Sequence, residues 1–131
     1  MILVLDCNIW ITLTINSQID FIAELSDNGH LIASCPELKH EIETVLKRPK
    51  LAKFVASETV RQVISMHDLV VTNYKIGKIR AVVSDLKDNY LFALALKSKA
   101  NYLVTGDKLL LAVGEYKKIR VISLADFRQL I

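Results

Sequence analysis

The sequence predicts an α/β fold in which helices cover both faces of a parallel sheet. Short apolar segments without polar alternation recur along the chain, and segments with a helical spacing of apolar residues separate them. An unbroken apolar run is typical of a strand covered on both faces, as in parallel sheets. Strands that alternate with helices are typical of this fold class. We therefore expect a central parallel sheet of about four to five strands.

The predicted strands are the short apolar segments themselves. The first begins at Met1 and runs directly into Asp6, Cys7 and Asn8. The others are expected after intervening helices, as in other α/β chains. Together the predicted strands occupy residues 1–5, 31–33, 69–71, 102–104 and 120–122.

Helices are predicted from apolar stripes and from residues that cap helix ends. Ser34 and Glu37 have the spacing of a capping box, and Pro36 suits the first turn of the helix that follows. The apolar segment after Asp88 is predicted to form a helix that is buried on all sides. The more polar residues 73–87 are predicted to form mostly a loop. Further helices are expected at residues 9–15, at 17–27 with Ser17 as the cap, at 51–55, from Ser57 as a cap, at 108–112 and from about Ala125.

Length and composition favour one globular domain. The chain has 131 residues, 52% of them hydrophobic, so we expect a single domain over residues 1–131 with a substantial core. No apolar run approaches the roughly 18 residues that cross a bilayer, and the N-terminus lacks the features of a signal peptide. A cytoplasmic protein without a membrane partner is therefore expected. Cys7 and Cys35 lack metal-type spacing, which favours core or near-site positions over a disulfide.

The charge of the chain does not identify its partners. The formal net charge is +3, from 17 basic and 14 acidic residues, which by itself does not indicate nucleic acid. Two local clusters of basic residues could line the path of a polyanion, or could equally be solvated helix ends and loops. The clusters are Lys47, Arg48, Lys50 and Lys53, and Lys75, Lys78 and Arg80.

Four acidic residues occupy comparable positions in the predicted fold. Two closely follow strands, one lies in a helix that follows a strand, and one stands at the start of the buried helix. These residues are Asp6, Asp107, Glu41 and Asp88, in that order. Because the carboxyl ends of parallel strands gather at one edge of a sheet, we expect the four side chains to converge there.

A cluster of carboxylates predicts a bound cation. Two carboxylates about 4 Å apart repel by roughly 1 kcal/mol in water and by about 4 kcal/mol at an effective dielectric constant near 20. Ligands that are all oxygens favour Mg²⁺ or Mn²⁺ over Zn²⁺. The chemistry expected of such an ion is phosphodiester hydrolysis, in which it orients the phosphate and activates water. Asn8 and Thr105 could position water or the acids, and Asp85 could be an outer carboxylate.

Each acid also has a structural interpretation. Asp6 and Asp88 could simply cap the segments that follow them, and Asp107 could belong to a turn. Glu41 could be an ordinary residue at the border of an apolar stripe, with Glu37 as the acid that reaches the site instead. The three histidines are expected on the surface or in the core rather than on a metal ion.

Three aromatic residues could contact a nucleic acid base. Aromatic side chains stack on the exposed bases of single strands. Core packing is nevertheless the expected role of each. These residues are Trp10, Phe54 and Tyr90.

The order and spacing of these segments resemble the PIN domain family, in its branch of VapC-like toxins of toxin–antitoxin systems. The resemblance covers essentially the whole chain. Cys7 stands where threonine is more usual in the family and Leu86 where proline is common, and both departures leave the acids intact. The resemblance is carried by residues 5–8 (LDCN), 34–41, 47–50 (KRPK), 85–89 (DLKDN) with the buried helix, and 102–107 (YLVTGD).

The resemblance implies a fold, an activity and partners. The fold is a compact three-layer α/β/α sandwich, and the activity is that of a Mg²⁺- or Mn²⁺-dependent ribonuclease on single-stranded RNA. The implied partners are a second copy of the chain, in a homodimer, and a cognate antitoxin protein that silences the toxin. The family's acidic positions fall on Asp6, Glu41, Asp88 and Asp107, with Asn8 and Thr105 as polar companions.

Two other functions are compatible with parts of the sequence. A phosphatase could use Asp6 as its nucleophile, but that chemistry normally needs a second carboxylate two residues later, where Asn8 stands. A catalytically idle module that binds RNA or an antitoxin could keep the same fold. The complete set of acids argues against the idle module.

Overall fold

Strands and helices alternate along the chain as the sequence predicts. The computed structural model describes residues 1–85 and 88–131. In these ranges the strands are β1 (Ile2–Leu5), β2 (Leu31–Ser34), β3 (Val71–Asn73), β4 (Tyr102–Val104), β5 (Glu115–Tyr116) and β6 (Ile119–Ile122). The helices of the same ranges are α1 (Cys7–Ile15), α2 (Asp20–Asp27), α3 (Pro36–Leu46), α4 (Pro49–Ala52), α5 (Ser57–Val70), α6 (Asn89–Ser98), α7 (Lys108–Leu111) and α8 (Leu124–Leu130).

The strands form one mostly parallel sheet in the order β3-β2-β1-β4-β6-β5. Strand β1 lies inside the sheet and pairs in parallel with β2 on one side and with β4 on the other. Strands β3 and β6 extend the parallel part outward. Strand β5 is antiparallel to β6. The carboxyl ends of the parallel strands therefore lie along one edge of the sheet.

Strand β1 confirms that an unbroken apolar run marks a strand covered on both faces. Leu3, Val4 and Leu5 are 0%, 0% and 1% exposed, although successive side chains of a strand point to opposite faces. Helix α6 supplies part of this cover, since it packs against β1, β2 and β4. Its buried residues run from Asn89 to Ala95 without interruption, so the prediction of a helix buried on all sides is confirmed.

The sheet has six strands in the described residues, more than the four to five expected. The additional strand, β5, is only two residues long and forms a hairpin with β6. Lys117 and Lys118 make the connection with φ angles of 47° and 72°. One residue of β5 is exposed and the other half-buried, so the segment has no apolar run from which a strand could be predicted.

The predicted helix caps are wrong at three serines. Ser34 is the last residue of β2, and the N-cap of α3 is Cys35, which makes no side-chain cap bond. The Ser34 hydroxyl is engaged instead with the ring of His67. Ser17 has a φ of 56° and lies before the start of α2. Ser57 is the first residue of α5 rather than its cap.

Other boundaries shift by a few residues. Helix α5 continues through Val70, so the third strand begins at Val71 rather than at Leu69. Pro49 opens the short helix α4 as well as following α3. Residues 74–85 contain no helix or strand, as predicted for a loop, and the rest of the predicted loop, residues 86–87, lies outside the described residues.

Both cysteines are buried free thiols, as expected. Cys7 opens helix α1 at the carboxyl edge of the sheet, and Cys35 precedes α3. Among the helices that the structure describes, none has the length and apolar character needed to cross a membrane.

Candidate active site

Asp6 lies at the carboxyl end of β1, where hydrogen bonds hold its side chain. Its backbone N–H donates to the carbonyl of Val104 in β4 at 2.9 Å, which places Thr105 beside it. The Thr105 hydroxyl donates to Asp6 Oδ2 at 2.7 Å, and Asn8 Nδ2 donates to the same oxygen at 3.2 Å. Asp6 is only 4% exposed, so these bonds fix the orientation of a nearly buried carboxylate.

Asn8 and Thr105 also join the turn after β4 to the turn after β1. Asn8 Oδ1 accepts a hydrogen bond from the Gly106 N–H at 3.0 Å. Thr105 Oγ1 accepts one from the Asp107 N–H, also at 3.0 Å. The two polar companions of the acids therefore bring the Asp107 turn next to Asp6.

Glu41 reaches the same region from α3, and a tyrosine holds it there. The hydroxyl of Tyr90, a buried residue of α6, donates a hydrogen bond to Glu41 Oε2. Glu37 is exposed and lines a different cavity, together with His40. Glu41 rather than Glu37 is thus the acid of α3 that lies with Asp6. The sequence gives no indication of the tyrosine contact, because the two residues are far apart in the chain.

Asp88 and Asp107 use their side chains differently. Asp88 occupies the N-cap position of α6 but makes no side-chain cap bond, so the capping interpretation of this residue is not supported. Asp107 does cap α7, because its Oδ1 accepts a hydrogen bond from the Leu109 N–H at 2.8 Å. This bond occupies one oxygen of a carboxylate that has two.

The carboxylates line one open cavity at this edge of the sheet, which we call the acidic pocket. Its volume is about 380 Å³. The four predicted acids and the predicted outer carboxylate meet there. The acids that line it are Asp6, Glu41, Asp85, Asp88 and Asp107, and its other residues include Cys7, Asn8, Ile11, Thr12 and Val45.

Burial and the neighbouring acids raise the pKa of two carboxylates of the pocket, Asp6 and Asp88. The pKa of Asp6 is raised to about 6, mainly because the side chain is buried, with added repulsion from Glu41 and Asp107. The pKa of Asp88 is also raised to about 6, again by burial first and then by the charges of Asp6 and Asp85. Ionising these carboxylates therefore costs free energy unless positive charge compensates them.

The donor atoms of the acidic pocket suit a hard divalent cation. Carboxylate oxygens predominate there, and these atoms favour Mg²⁺ or Mn²⁺. The pKa of the Cys7 thiol is raised by burial and by Glu41 and Asp6, so the thiol is protonated in the metal-free protein. As placed, no three His, Cys, Asp or Glu side chains of residues 1–85 and 88–131 could hold a metal ion together. Uncompensated carboxylates repel one another, so an ion would have to draw these closer than they stand.

The three aromatic candidates for base stacking lie in different environments. Trp10 and Tyr90 are buried, as expected for core packing. Phe54 is 72% exposed, so the expectation that it packs in the core is wrong. It follows the short helix α4, which has no buried residue, and the chain re-enters the core at the next residue, Val55.

Outside the pocket, a serine, a histidine and an aspartate are hydrogen-bonded in the order of a hydrolase triad. Their role is structural. Ser34 Oγ lies 2.8 Å from His67 Nε2, and His67 Nδ1 lies 3.0 Å from Asp68 Oδ1. Ser34 and His67 are each 0% exposed, so no substrate can reach the hydroxyl. Lys39 continues the chain by donating to Asp68 Oδ2 at 2.9 Å. His67 therefore has the core role expected of it.

Comparison with known proteins agrees with this fold. A family model for the PIN domain matches residues 2–109 of the chain. VapBC2 from Rickettsia felis, solved bound to a DNA fragment from its promoter, matches with a TM-score of 0.63 and 15% identity over 94% of this chain and 98% of that chain. PAE2754 from Pyrobaculum aerophilum matches with a TM-score of 0.59 and 20% identity over 95% of this chain and 85% of that chain. No curated protein matches the chain significantly.

The family match includes the whole acidic pocket. It begins in β1 and extends into α7, so every residue that lines the pocket falls inside it. The two solved structures share the predicted α/β fold at low sequence identity. Since the family model covers most of the sequence, this chain belongs to the PIN domain family.

Proposed function

We propose that this protein is a metal-dependent endoribonuclease that hydrolyses phosphodiester bonds in single-stranded RNA. One observation carries the proposal: five carboxylates from separate segments line one pocket in a chain of the PIN domain family. Domains of this family are generally nucleases. Carboxylates that repel one another need positive charge to share a site, and a divalent ion would supply it.

The proposed ligands of one or more Mg²⁺ or Mn²⁺ ions are Asp6, Glu41, Asp88 and Asp107. When bound, the metal would orient the phosphate, lower the pKa of a water molecule and neutralise the leaving oxygen. The chain's own polar groups hold the ligands: Thr105 and Asn8 orient Asp6, and Tyr90 orients Glu41. Asp85 is the proposed outer carboxylate. A carboxylate of the pocket accepts the proton that the attacking water loses.

We also propose that the protein is the toxin of a type II toxin–antitoxin pair. The structural match to VapBC2 supports this assignment, because that protein was solved as a VapBC2 assembly on promoter DNA. A homodimer that acts in the cytoplasm belongs to the same proposal. Co-expression with the product of the neighbouring reading frame should give a stable complex in size-exclusion chromatography that no longer cleaves RNA. A neighbour that neither binds nor inhibits would contradict the toxin assignment.

The nuclease proposal is tested by RNA cleavage. Single-stranded RNA of mixed sequence is incubated with the protein and Mn²⁺ or Mg²⁺, with and without excess chelator. We expect cleavage with metal and none with chelator. Asp6→Asn and Asp88→Asn should each lower the rate on the order of a hundredfold or more, because each removes a charge that the ion requires. Asp27→Asn, at the exposed end of α2, is the matched control and should cleave as the wild type does.

Three other results would contradict all or part of the proposed function. Cleavage that persists in chelator would contradict metal dependence. Firm RNA binding without cleavage under any divalent metal would favour the catalytically idle module. Turnover of a small phosphomonoester through an aspartyl-phosphate on Asp6 would favour the phosphatase.

A further inference from the structure

We propose that the surface around α4 binds a single-stranded stretch of RNA beside the acidic pocket. We name this surface the α4 shoulder, and it consists of Arg48, Lys50, Lys53 and Phe54. The inference rests on the proposed function, because it names the substrate contacts of the same site. Its chemistry is that of a single-strand binding surface, which combines cations for phosphates with an aromatic ring for a base.

Phe54 is an exposed ring on a firmly held backbone. Its N–H donates to the Leu51 carbonyl at 2.9 Å, and the N–H of Val55 donates to the same carbonyl at 2.9 Å. Val55 is buried and anchors the turn to the core, whereas the Phe54 side chain is 72% exposed. The ring is therefore presented to solvent by a fixed turn, and a base could stack on it with little loss of backbone freedom.

Two lysines lie within four residues of Phe54 in the chain. Lys53 and Phe54 follow Lys50 by three and four residues, a spacing that places side chains on one face of a helical turn. Both lysines are exposed, and neither takes part in an ion pair formed among the described residues. Their charges are thus available to the phosphates on either side of a stacked base.

Arg48 connects the shoulder to the acidic pocket. Glu41, Val45 and Arg48 are spaced by four and then three residues along α3 and its C-terminal turn, which places them on one stripe. Glu41 and Val45 line the pocket, and the Arg48 N–H donates to the Val45 carbonyl at 3.2 Å. Arg48 is itself exposed, so its charge is open to solvent. The stripe therefore runs from the pocket toward Arg48, the direction in which a phosphate next to the cleaved one would pass.

This arrangement selects single strands over duplexes. A base can stack on a protein ring only if it has left its own stack, as in loops and single strands. A duplex could offer its phosphates to the shoulder but no base face. Stacking on Phe54 should therefore make the protein prefer single-stranded RNA to a duplex. The phosphate contacts of the cations should make RNA binding weaker as the salt concentration rises.

The test measures RNA binding and cleavage separately. Fluorescence anisotropy with a labelled single-stranded RNA of mixed sequence, in chelator, gives the Kd without cleavage, and the same RNA annealed to its complement is the comparison. Phe54→Ala should weaken binding to the single strand about tenfold and leave duplex binding unchanged. The double variant Lys50→Ala/Lys53→Ala should weaken binding to the single strand and to the duplex. It should also reduce the slope of log Kd against log salt concentration for the single strand by about 1.4. Leu69→Ala, another exposed apolar residue, and Lys97→Ala, an exposed cation of α6, should bind as the wild type does.

Cleavage with Mn²⁺ extends the same comparison. Phe54→Ala and Arg48→Ala should raise the KM for single-stranded RNA and leave binding of Mn²⁺ unchanged. If wild type cleaves RNA and Phe54→Ala has the same Kd and KM as wild type, the proposed role of the α4 shoulder is wrong and the nuclease proposal still holds. Wild type that binds RNA through the shoulder but never cleaves would overturn the nuclease instead. Loss of dimer or of antitoxin binding in Phe54→Ala, with RNA binding unaffected, would reassign the surface to a protein partner.

Discussion

The Thr105 hydroxyl and the Tyr90 hydroxyl each orient one acid of the pocket by a hydrogen bond. Each donates to one carboxylate oxygen, of Asp6 and of Glu41, from a distant segment of the chain. The pKa of Tyr90 is raised, first by burial and then by its bond to Glu41, so the hydroxyl keeps its proton and can only donate to an ionised carboxylate. Groups that orient metal ligands in this way affect metal affinity as well as packing.

Removing the Tyr90 hydroxyl should weaken metal binding without unfolding the protein. Tyr90→Phe keeps the ring in the core but leaves Glu41 without its donor, so we expect the Kd for Mn²⁺ to rise about ten- to a hundredfold. Titration calorimetry or the electron paramagnetic resonance of Mn²⁺ measures the change. Tyr102→Phe, on β4 with its ring against Phe127, is the control. Equal affinities in the two variants would show that Tyr90 only packs.

A hydrogen-bonded network joins β2, α3 and α5, buried at Ser34 and His67 and open to solvent at Asp68. Ser34, His67, Asp68 and Lys39 bond in sequence across these elements. The pKa of His67 is lowered, because burial opposes its charged form more strongly than Asp68 favours it. The network therefore holds a neutral imidazole, and its contribution to stability depends on pH.

His67 by itself should lower the free energy of unfolding on acidification. The unfolded chain binds a proton at the ordinary histidine pKa of about 6.5, whereas the folded protein resists protonation until a lower pH. Below about 6.5 the unfolded state thus holds more protons, and His67 takes away at most about 1.4 kcal/mol per pH unit. Urea unfolding of wild type and His67→Gln at several pH values measures this difference.

His67→Gln should be less stable than wild type near pH 7.5 but should lose less on going to pH 5.5. Taking the difference between the two proteins removes the titration of groups they share, including Asp6 and Asp88, whose raised pKa values act in the opposite direction. Parallel stability curves for the two proteins would contradict the assignment of this pH dependence to His67.

The whole molecule brings separate acids to one edge because the sheet is parallel. Strands β1 and β4 are neighbours in register, with Leu5 opposite Val104, so Asp6 and Thr105 necessarily follow side by side. Helix α3 adds Glu41 to this edge, and the N-cap position of α6 adds Asp88. Assembly of these charges costs free energy in the metal-free protein. A bound cation would offset this cost by attracting the carboxylates.

Millimolar Mn²⁺ should therefore raise the melting temperature of the protein. At about a hundred times the Kd, binding stabilises the folded state by about 2.7 kcal/mol, which corresponds to a shift of several degrees for a domain of this size. Differential scanning fluorimetry with and without Mn²⁺ measures it. In Asp6→Asn/Asp88→Asn most of the rise should vanish. An equal rise in both proteins would place the metal outside the acidic pocket.

Local chemistry made much of this protein predictable. The apolar run from Met1 to Leu5 and the carboxylate after it are adjacent in the chain, so the sequence alone predicts a buried strand with Asp6 at its end. The same reasoning identifies β2, β4 and the buried helix α6. It fails where a local pattern has a competing use: Ser34 has the spacing of a cap, but its hydroxyl bonds to His67 across the core.

Local patterns were enough to predict the α/β class, most strands and the candidate acids, since apolar periodicity acts over a few residues. Tertiary structure alone decided which distant groups meet. It selected Glu41 over Glu37, gave Glu41 the Tyr90 hydroxyl, added β5 and left Phe54 in solvent. The physical reason is that hydrogen bonds and burial between distant segments depend on how complete elements pack, and no local pattern records that packing.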